Sequence, residues 1–218
     1  MTTNGDQTDA TVSDVTSTME HTRDVLKNWP FPPEGGWEAD DLDLLPLDGP
    51  NGELDIFKRV ELIDGALILM SPQRRFHDRA IRGLANLLDS QAPEEFGIAT
   101  QMTVTIAKHQ RPDPDLIVIN AAVDHDNRTS YVPREVFLVV EVVSPESAYR
   151  DRKVKPRIYA SAGIKHYWII DDEDGKPVIT TLELDPDTGT YEHTGTYHDS
   201  FSHNEPFPLE IHFAELLQ

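Results

Sequence analysis

Two acidic residues occupy positions in this sequence where a charge is costly to bury. Glu141 is the single charged residue in the Val-rich run 136–143, which is typical of a strand buried on both faces. Because an unpaired carboxylate there would cost several kcal/mol, Glu141 is expected to have a cation, a metal or a proton as its partner. Asp115 stands at the head of a second apolar run, 116–119, directly after the turn RPDP.

Lys155 follows Glu141 in a basic segment, RDRKVKPR, and supplies a cation. Magnesium prefers hard oxygen ligands and is typically held by one or two carboxylates. A lysine beside the reacting phosphate would stabilise the charge that develops in the transition state. Asp115 and Glu141 on adjacent strand ends, with Lys155 near them, therefore indicate a site that binds Mg²⁺ or Mn²⁺ and hydrolyses phosphodiester bonds.

The remaining candidates are each open to a structural interpretation. Glu61 opens a predicted hairpin strand and could simply face solvent. His77, on the apolar face of a predicted helix, could be a core histidine with a satisfied hydrogen bond, or a ligand or base. Asp113 competes with Asp115 but lies between two prolines. Asp151 could be a partner for nearby arginines as easily as a site residue.

The charge distribution bears on nucleic acid as a partner. The net charge of −20 is unusual for a nucleic-acid binder, because such proteins neutralise phosphates with Lys and Arg. The acidic excess lies at both ends, whereas residues 61–170 carry 14 acidic and 14 basic side chains. In that middle part, basic residues cluster at 74–82 and 150–157, flanking the candidate site residues. Both clusters could be solvated faces, and both could contact phosphate.

The order of predicted elements indicates a mixed sheet flanked by helices. We predict a polar N-terminal tail over residues 1–28 and a single domain over residues 29–218. The domain is expected to begin with a short helical turn before Pro46 and to contain a hairpin around Asp64–Gly65 and a helix from about His77. Strands are predicted at 97–107, 115–119, 136–143 and 165–171, a short helix from Pro156 to Gly163, and then a hairpin, a strand and a terminal turn.

Composition narrows the class of protein. The chain has no cysteine, so disulfides and thiolate zinc sites are excluded. The first thirty residues lack the apolar core of a secretory signal, and no apolar run approaches the roughly 18 residues needed to span a bilayer. A cytoplasmic protein without a membrane partner is expected.

Several of these motifs together resemble a known family. The segments VELIDGALILMSP, RPDPDLIVI, VVEVVSP and RDRKVKPRIYASAGIKHYWIID, with His77 opening a helix, resemble the Uma-two endonuclease family of the PD-(D/E)XK superfamily. The resemblance covers about residues 37–215. It implies the α/β restriction-endonuclease-like fold and an endonuclease that acts on nucleic acid, with DNA as the expected substrate. It also implies that Asp115 and Glu141 bind the metal, and that Glu61 and His77 match the family's glutamate and histidine.

The lysine departs from the superfamily pattern. The superfamily usually places it two residues after the glutamate, where this chain has Val143. Lys155, four residues after Asp151 on the following helix, is assigned the role by displacement.

Two other functions compete with the nuclease. The fold could serve as a non-catalytic binding or regulatory module, which the net charge and the displaced lysine favour. A carboxylate-pair glycosidase is disfavoured, since aromatic residues make up only 8% of the chain. Because restriction-type nucleases are often dimers, a homodimer is expected.

Overall fold

The structure, a computed structural model, describes residues 24–218. Val25 is already buried and packs with Trp37, Ala39 and Leu62. At Val25 the predicted tail therefore packs against the domain, and the division at residue 28 stays a prediction. Residues 1–23, the rest of that tail, lie outside the described residues.

Fifteen labelled helices and strands follow one another in the described chain. They are β1 (Val60–Ile63), β2 (Ala66–Leu69), α1 (Arg75–Gln91), β3 (Phe96–Thr100), β4 (Thr103–Val104), β5 (Leu116–Asn120), β6 (Ser130–Tyr131), β7 (Val136–Val142), α2 (Lys155–Ser161), β8 (His166–Glu173), β9 (Lys176–Asp185), β10 (Thr190–Tyr197), β11 (Ser200–His203), β12 (Leu209–His212) and α3 (Phe213–Leu216). A 3₁₀ helix at Ala39–Leu44 precedes β1, and a π-helical turn at Arg150–Val154 leads into α2.

A six-stranded mixed sheet forms the centre, in the order β10-β9-β8-β7-β5-β3. Its neighbours are antiparallel except for β7 and β8, which are parallel. Parallel neighbours need a crossover connection, and the segment 143–165, which contains α2, supplies it. This crossover positions the residues of the candidate site.

Alternation along β7 sends its side chains to two different cores. Val140 and Val142 belong to the core under α1 and the C-terminal segment, whereas Val139 belongs to the core under α2. Glu141 has the parity of Val139 and therefore faces α2. The sheet is thus covered by a helix on each side, as predicted for buried Val-rich strands.

Most predicted elements are confirmed, and one strand is not continuous. The β1–β2 hairpin turns at Asp64 and Gly65, both with positive φ, as the Asp-Gly pair predicts. The strand predicted over 97–107 is wrong in its continuity, because Gln101 has a φ of 54° and separates β3 from β4. No helix within residues 24–218 is long and apolar enough to cross a membrane.

Candidate active site

Asp115 and Glu141 lie side by side where β5 begins and the neighbouring strand β7 ends. In the β5–β7 pair Leu116 lies opposite Val140, so the next step of the antiparallel ladder brings Asp115 beside Glu141. The backbone N–H of Val142 donates a hydrogen bond of 2.8 Å to Asp115 Oδ2. The proximity predicted for the two carboxylates is therefore present.

Lys155 lies at the centre of three carboxylates. Its Nζ is 2.9 Å from Glu141 Oε1, 3.2 Å from Glu61 Oε2 and 3.3 Å from Asp151 Oδ1. The lysine is only 1% exposed. The crossover between the parallel strands β7 and β8 therefore brings the displaced lysine back to Glu141.

Glu61 reaches the cluster from the β1–β2 hairpin. Leu62 and Arg111 exchange backbone hydrogen bonds of 3.0 and 2.8 Å, which fix the hairpin against the segment before β5. Glu61 Oε2 accepts from the backbone N–H of Asp113 at 3.3 Å, and Oε1 is 3.3 Å from Arg150 Nε. Glu61 is fully buried, so it is not the solvent-facing strand residue that its sequence position also allowed.

His77 contacts the site from the first turn of α1. Its Nε2 lies 3.0 Å from Asp115 Oδ2, and the ring is buried. Together with the Val142 N–H, this contact occupies Oδ2 and orients the carboxylate. The structure thus brings together all five predicted residues: Asp115, Glu141, Lys155, Glu61 and His77.

Besides Asp151, four further side chains belong to the cluster: Arg59, Asp113, Arg150 and Tyr159. Arg59 binds Asp113, Arg150 lies against Glu61, and Tyr159 donates to Glu141 Oε1 at 3.1 Å. Tyr159 follows Lys155 by four residues, so the helical spacing on α2 could have indicated it. Asp113 already competes with Asp115 in the sequence. Arg150 belongs to the basic cluster at 150–157, whereas Arg59 lies outside the apolar runs and the basic clusters and had no sequence signal.

Burial and charge act in opposite directions on the ionisable groups. Burial lowers the pKa of Lys155, but Glu141, Glu61 and Asp151 outweigh it and hold that pKa well above its ordinary value. Burial raises the pKa of Glu141 well above its ordinary value, with Lys155 opposing. Lys155 therefore stays charged, while Glu141 releases its proton less readily than a free glutamate.

The pKa of Asp115 is shifted in the direction opposite to that of Glu141. Burial raises its pKa, but the hydrogen bond and charge of His77 and the charge of Lys155 prevail, so the pKa of Asp115 is lowered. Burial raises the pKa of Asp113 and of Asp151, although Arg59 and Lys155 respectively oppose the shift. Asp115 therefore gives up its proton more readily than a free aspartate does, as a carboxylate that holds a cation must.

The donor chemistry fits a hard divalent cation. Both hydrogen bonds to Glu141 end on Oε1, so Oε2 is left for another ligand, and Asp115 retains Oδ1. Asp113 Oδ1, Glu61 Oε1 and Asp151 Oδ1 are buried without a hydrogen-bond partner. Across residues 24–218, however, no three His, Asp or Glu side chains are gathered closely enough to hold a metal ion. The oxygens are suitable in kind, and internal cations hold them in their present positions.

A narrow opening leads towards His77. Its lining residues are Gln73, Arg74, Phe76, His77, residues 143–145 and Asp172. Beside it, Ser71 Oγ donates a hydrogen bond of 2.9 Å to Glu146 Oε1, which ties the loop before α1 to the loop after β7. These two loops form the rim of the candidate site.

A basic groove lies on the other side of α2. It has a volume of about 370 Å³. Its basic lining residues are Arg152, Lys153 and Arg157, and its larger apolar ones are Ile169, Leu182 and Tyr191. Arg152 pairs with Asp171, whereas in the described chain no carboxylate pairs with Lys153 or Arg157. Because Ile169 is the register partner of Glu141, the groove and the acidic cluster share one face of the sheet.

Comparison with known proteins gives a family and a fold. The model of the Uma2 family, described as "Putative restriction endonuclease", matches residues 54–215. No curated protein matches the chain significantly. A crystal structure of a "putative nuclease belonging to DUF820" from Anabaena variabilis is 13% identical, with a TM-score of 0.53 over 82% of this chain and 96% of that chain. This likeness confirms the restriction-endonuclease-like fold.

A more distant structural match is NucC from P. aeruginosa in its cAAA-bound form. It is 9% identical and has a TM-score of 0.30 over 57% of this chain and 85% of that chain. We draw no conclusion about fold or function from a similarity of this size.

Proposed function

Since the chain belongs to the Uma2 family, described as "Putative restriction endonuclease", we propose that it is a nuclease that uses Mg²⁺ or Mn²⁺ to hydrolyse phosphodiester bonds in DNA. The observation that carries this proposal is the buried convergence of Asp115, Glu141 and Lys155 at the ends of β5 and β7. Fold alone would not support it, because one fold hosts many functions.

Each residue of the cluster has a chemical role in this proposal. Asp115, through Oδ1, and Glu141, through Oε2, would hold the cation, which when bound would polarise a phosphate oxygen and help to activate a water. Lys155 presents a charged ammonium 2.9 Å from Glu141 and offsets negative charge that develops on the phosphoryl group. Glu61 holds Lys155 in place, and His77 orients Asp115.

The basic groove supports a polyanionic substrate. Lys153 and Arg157 have no carboxylate partner in the described chain, although the protein carries 39 acidic against 19 basic residues. Phosphate contacts of this kind position a nucleic acid without reading its sequence. We place part of the substrate backbone along this groove, on the same face of the sheet as Glu141.

A non-catalytic module is the second candidate, and one observation favours it. Internal cations already contact the buried carboxylates, and no metal-like gathering of side chains is present in residues 24–218. Thermal unfolding with and without millimolar Mg²⁺ or Mn²⁺ separates the two functions, because a ligand that binds only the folded state raises the melting temperature. The nuclease proposal expects a rise for the parent and none for Glu141→Ala. If a folded parent shows no rise, the module becomes the better account.

The homodimer stays a prediction. Sedimentation equilibrium of the full chain tests it, with a mass of twice 24.6 kDa expected.

A further inference from the structure

Arg59 is the one cation that spans both aspartates of the Pro-Asp-Pro-Asp turn in the described chain. It directly precedes β1, and its Nε and Nη2 lie 3.1 and 2.9 Å from Asp113 Oδ2. Its Nη2 is also 3.5 Å from Asp115 Oδ1. A single guanidinium therefore links two buried carboxylates that neighbour the proposed metal site.

The position of Arg59 matters because Asp115 has only one oxygen left. His77 and the backbone N–H of Val142 occupy Oδ2. Oδ1 is the oxygen that faces Arg59. A cation that binds Asp115 through Oδ1 must therefore share this atom with the guanidinium or displace it.

The Arg59 side chain is also able to move away from Asp115. Its side chain is 18% exposed, whereas Lys155 is 1% exposed, so Arg59 can reach solvent or a bound ligand. Its buried Nη1 has no hydrogen-bond partner. A guanidinium matches a phosphate as well as a carboxylate, because both accept its planar pair of N–H groups.

We propose that Arg59 is an internal counter-ion that occupies the open side of Asp115 until a divalent cation replaces it, and that the released guanidinium then contacts a phosphate of the substrate. This inference rests on the proposed function and adds a residue outside the five predicted ones, which first holds Asp115 Oδ1 and then contacts the substrate. It also names the internal partners of the carboxylates when no divalent cation is bound: Arg59 and Lys155, with Arg150 beside Glu61, offset part of their negative charge.

The test compares metal affinity in three full-length variants without nucleic acid. Arg59→Met keeps the apolar stem and removes the charge, Arg59→Lys keeps the charge and removes the fork, and Arg82→Met removes an arginine whose partner is the exposed Asp78. Mn²⁺ binding is measured by calorimetry, and folding is checked by circular dichroism. Arg59→Met should bind Mn²⁺ roughly tenfold more tightly than the parent, since a positive charge leaves the site. Arg59→Lys should lie between them, and Arg82→Met should match the parent.

A second measurement tests the phosphate contact. With Mn²⁺ present and Asp115 intact, Arg59→Met should bind a short DNA duplex several-fold more weakly than the parent, although its metal affinity is higher. An Arg59→Met variant that binds Mn²⁺ no more tightly than the parent would overturn the inference. If Arg59→Met does not fold, Arg59→Lys takes its place, and Mn²⁺ binding no tighter than that of the parent again overturns the inference.

The pattern of failures separates the two proposals. Suppose that the parent binds Mn²⁺, that Asp115→Asn does not, and that the Arg59 variants bind it as the parent does. The metal site is then supported, and only the proposed role of Arg59 is refuted. Binding that appears only in Arg59→Met supports the counter-ion role strongly. No Mn²⁺ binding in the parent or any variant removes both the metal site and the inference.

Discussion

Lys155 Nζ lies 2.9 Å from Glu141 Oε1, although the two residues are fourteen positions apart and belong to different elements. The crossover from β7 to the parallel strand β8 makes this pairing possible, because it lays α2 over the face to which Glu141 points. The ion pair therefore depends on the topology of the sheet, and the lysine does not need to stand on the strand beside the glutamate.

Replacing Lys155 with methionine tests this pairing through stability. The change leaves Glu141, Glu61 and Asp151 without their shared ammonium, and an uncompensated buried charge costs about 3–5 kcal/mol. The free energy of unfolding, measured in urea, should fall by that amount. The control is Lys153→Met, two residues earlier and exposed, for which a change within about 0.5 kcal/mol is expected. Equal losses in the two variants would contradict the central position of Lys155.

Glu141 gives a pH dependence with a definite sign. Burial raises its pKa well above the ordinary 4.5, so the folded protein keeps this proton to higher pH than the unfolded chain. The stabilisation is fully present below the ordinary pKa and is lost as the pH rises through the folded pKa. Glu141→Gln, which resembles the protonated acid, should therefore gain stability relative to the parent between about pH 5 and about pH 8. Urea unfolding at both pH values measures this gain.

Glu135 is a control for which the opposite pH dependence is expected. Burial raises its pKa, but the Val132 N–H and Arg128 outweigh that effect and lower it. Its contribution to stability is present above the ordinary pKa of 4.5 and is lost as the pH falls through the folded value. Glu135→Gln should therefore lose stability relative to the parent near pH 8. Changes of the same sign in both glutamine variants are incompatible with this assignment.

The basic groove predicts a salt-dependent binding defect. In an Asp115→Asn background, changing Lys153 and Arg157 to glutamine should weaken DNA binding and reduce the slope of log K against log salt concentration by about one unit for each lost phosphate contact. Fluorescence anisotropy over a salt series measures both quantities. Lys108→Gln is the matched control, because Lys108 is 66% exposed and pairs with Glu38 outside the groove. An unchanged slope in the double variant would place the DNA elsewhere.

The part of the site that lies on strands could be predicted from the sequence. Glu141 in a Val-rich run and Asp115 at a strand head stand out because a charge is costly among apolar residues. The contact between Lys155 and Glu141 was inferred by displacement, since only the crossover brings them together. Arg59 and Arg150 could not be found in this way. Basic residues near strand and helix ends resemble solvated surface until the fold sets carboxylates beside them.

Helices and strands, too, could be predicted only where the apolar pattern reveals them. Apolar periodicity predicted α1 and β7 because their buried faces repeat regularly. The break between β3 and β4 at Gln101 was missed, since its positive φ leaves no mark in the apolar pattern. The apolar pattern also gives no sign of the π-helical turn before α2. This turn brings Asp151 Oδ1 within 3.3 Å of Lys155 Nζ.

The most direct test of the account is DNA cleavage by the purified full-length protein and by a folded Asp115→Asn variant. Both are incubated with supercoiled plasmid and with a single-stranded RNA, in Mg²⁺, in Mn²⁺ and in excess EDTA. The account predicts that the parent cuts the plasmid only when metal is present, that EDTA stops the reaction, and that Asp115→Asn is inactive although folded. Cleavage that persists in EDTA or in Asp115→Asn, or a folded parent that cuts neither nucleic acid, would contradict it.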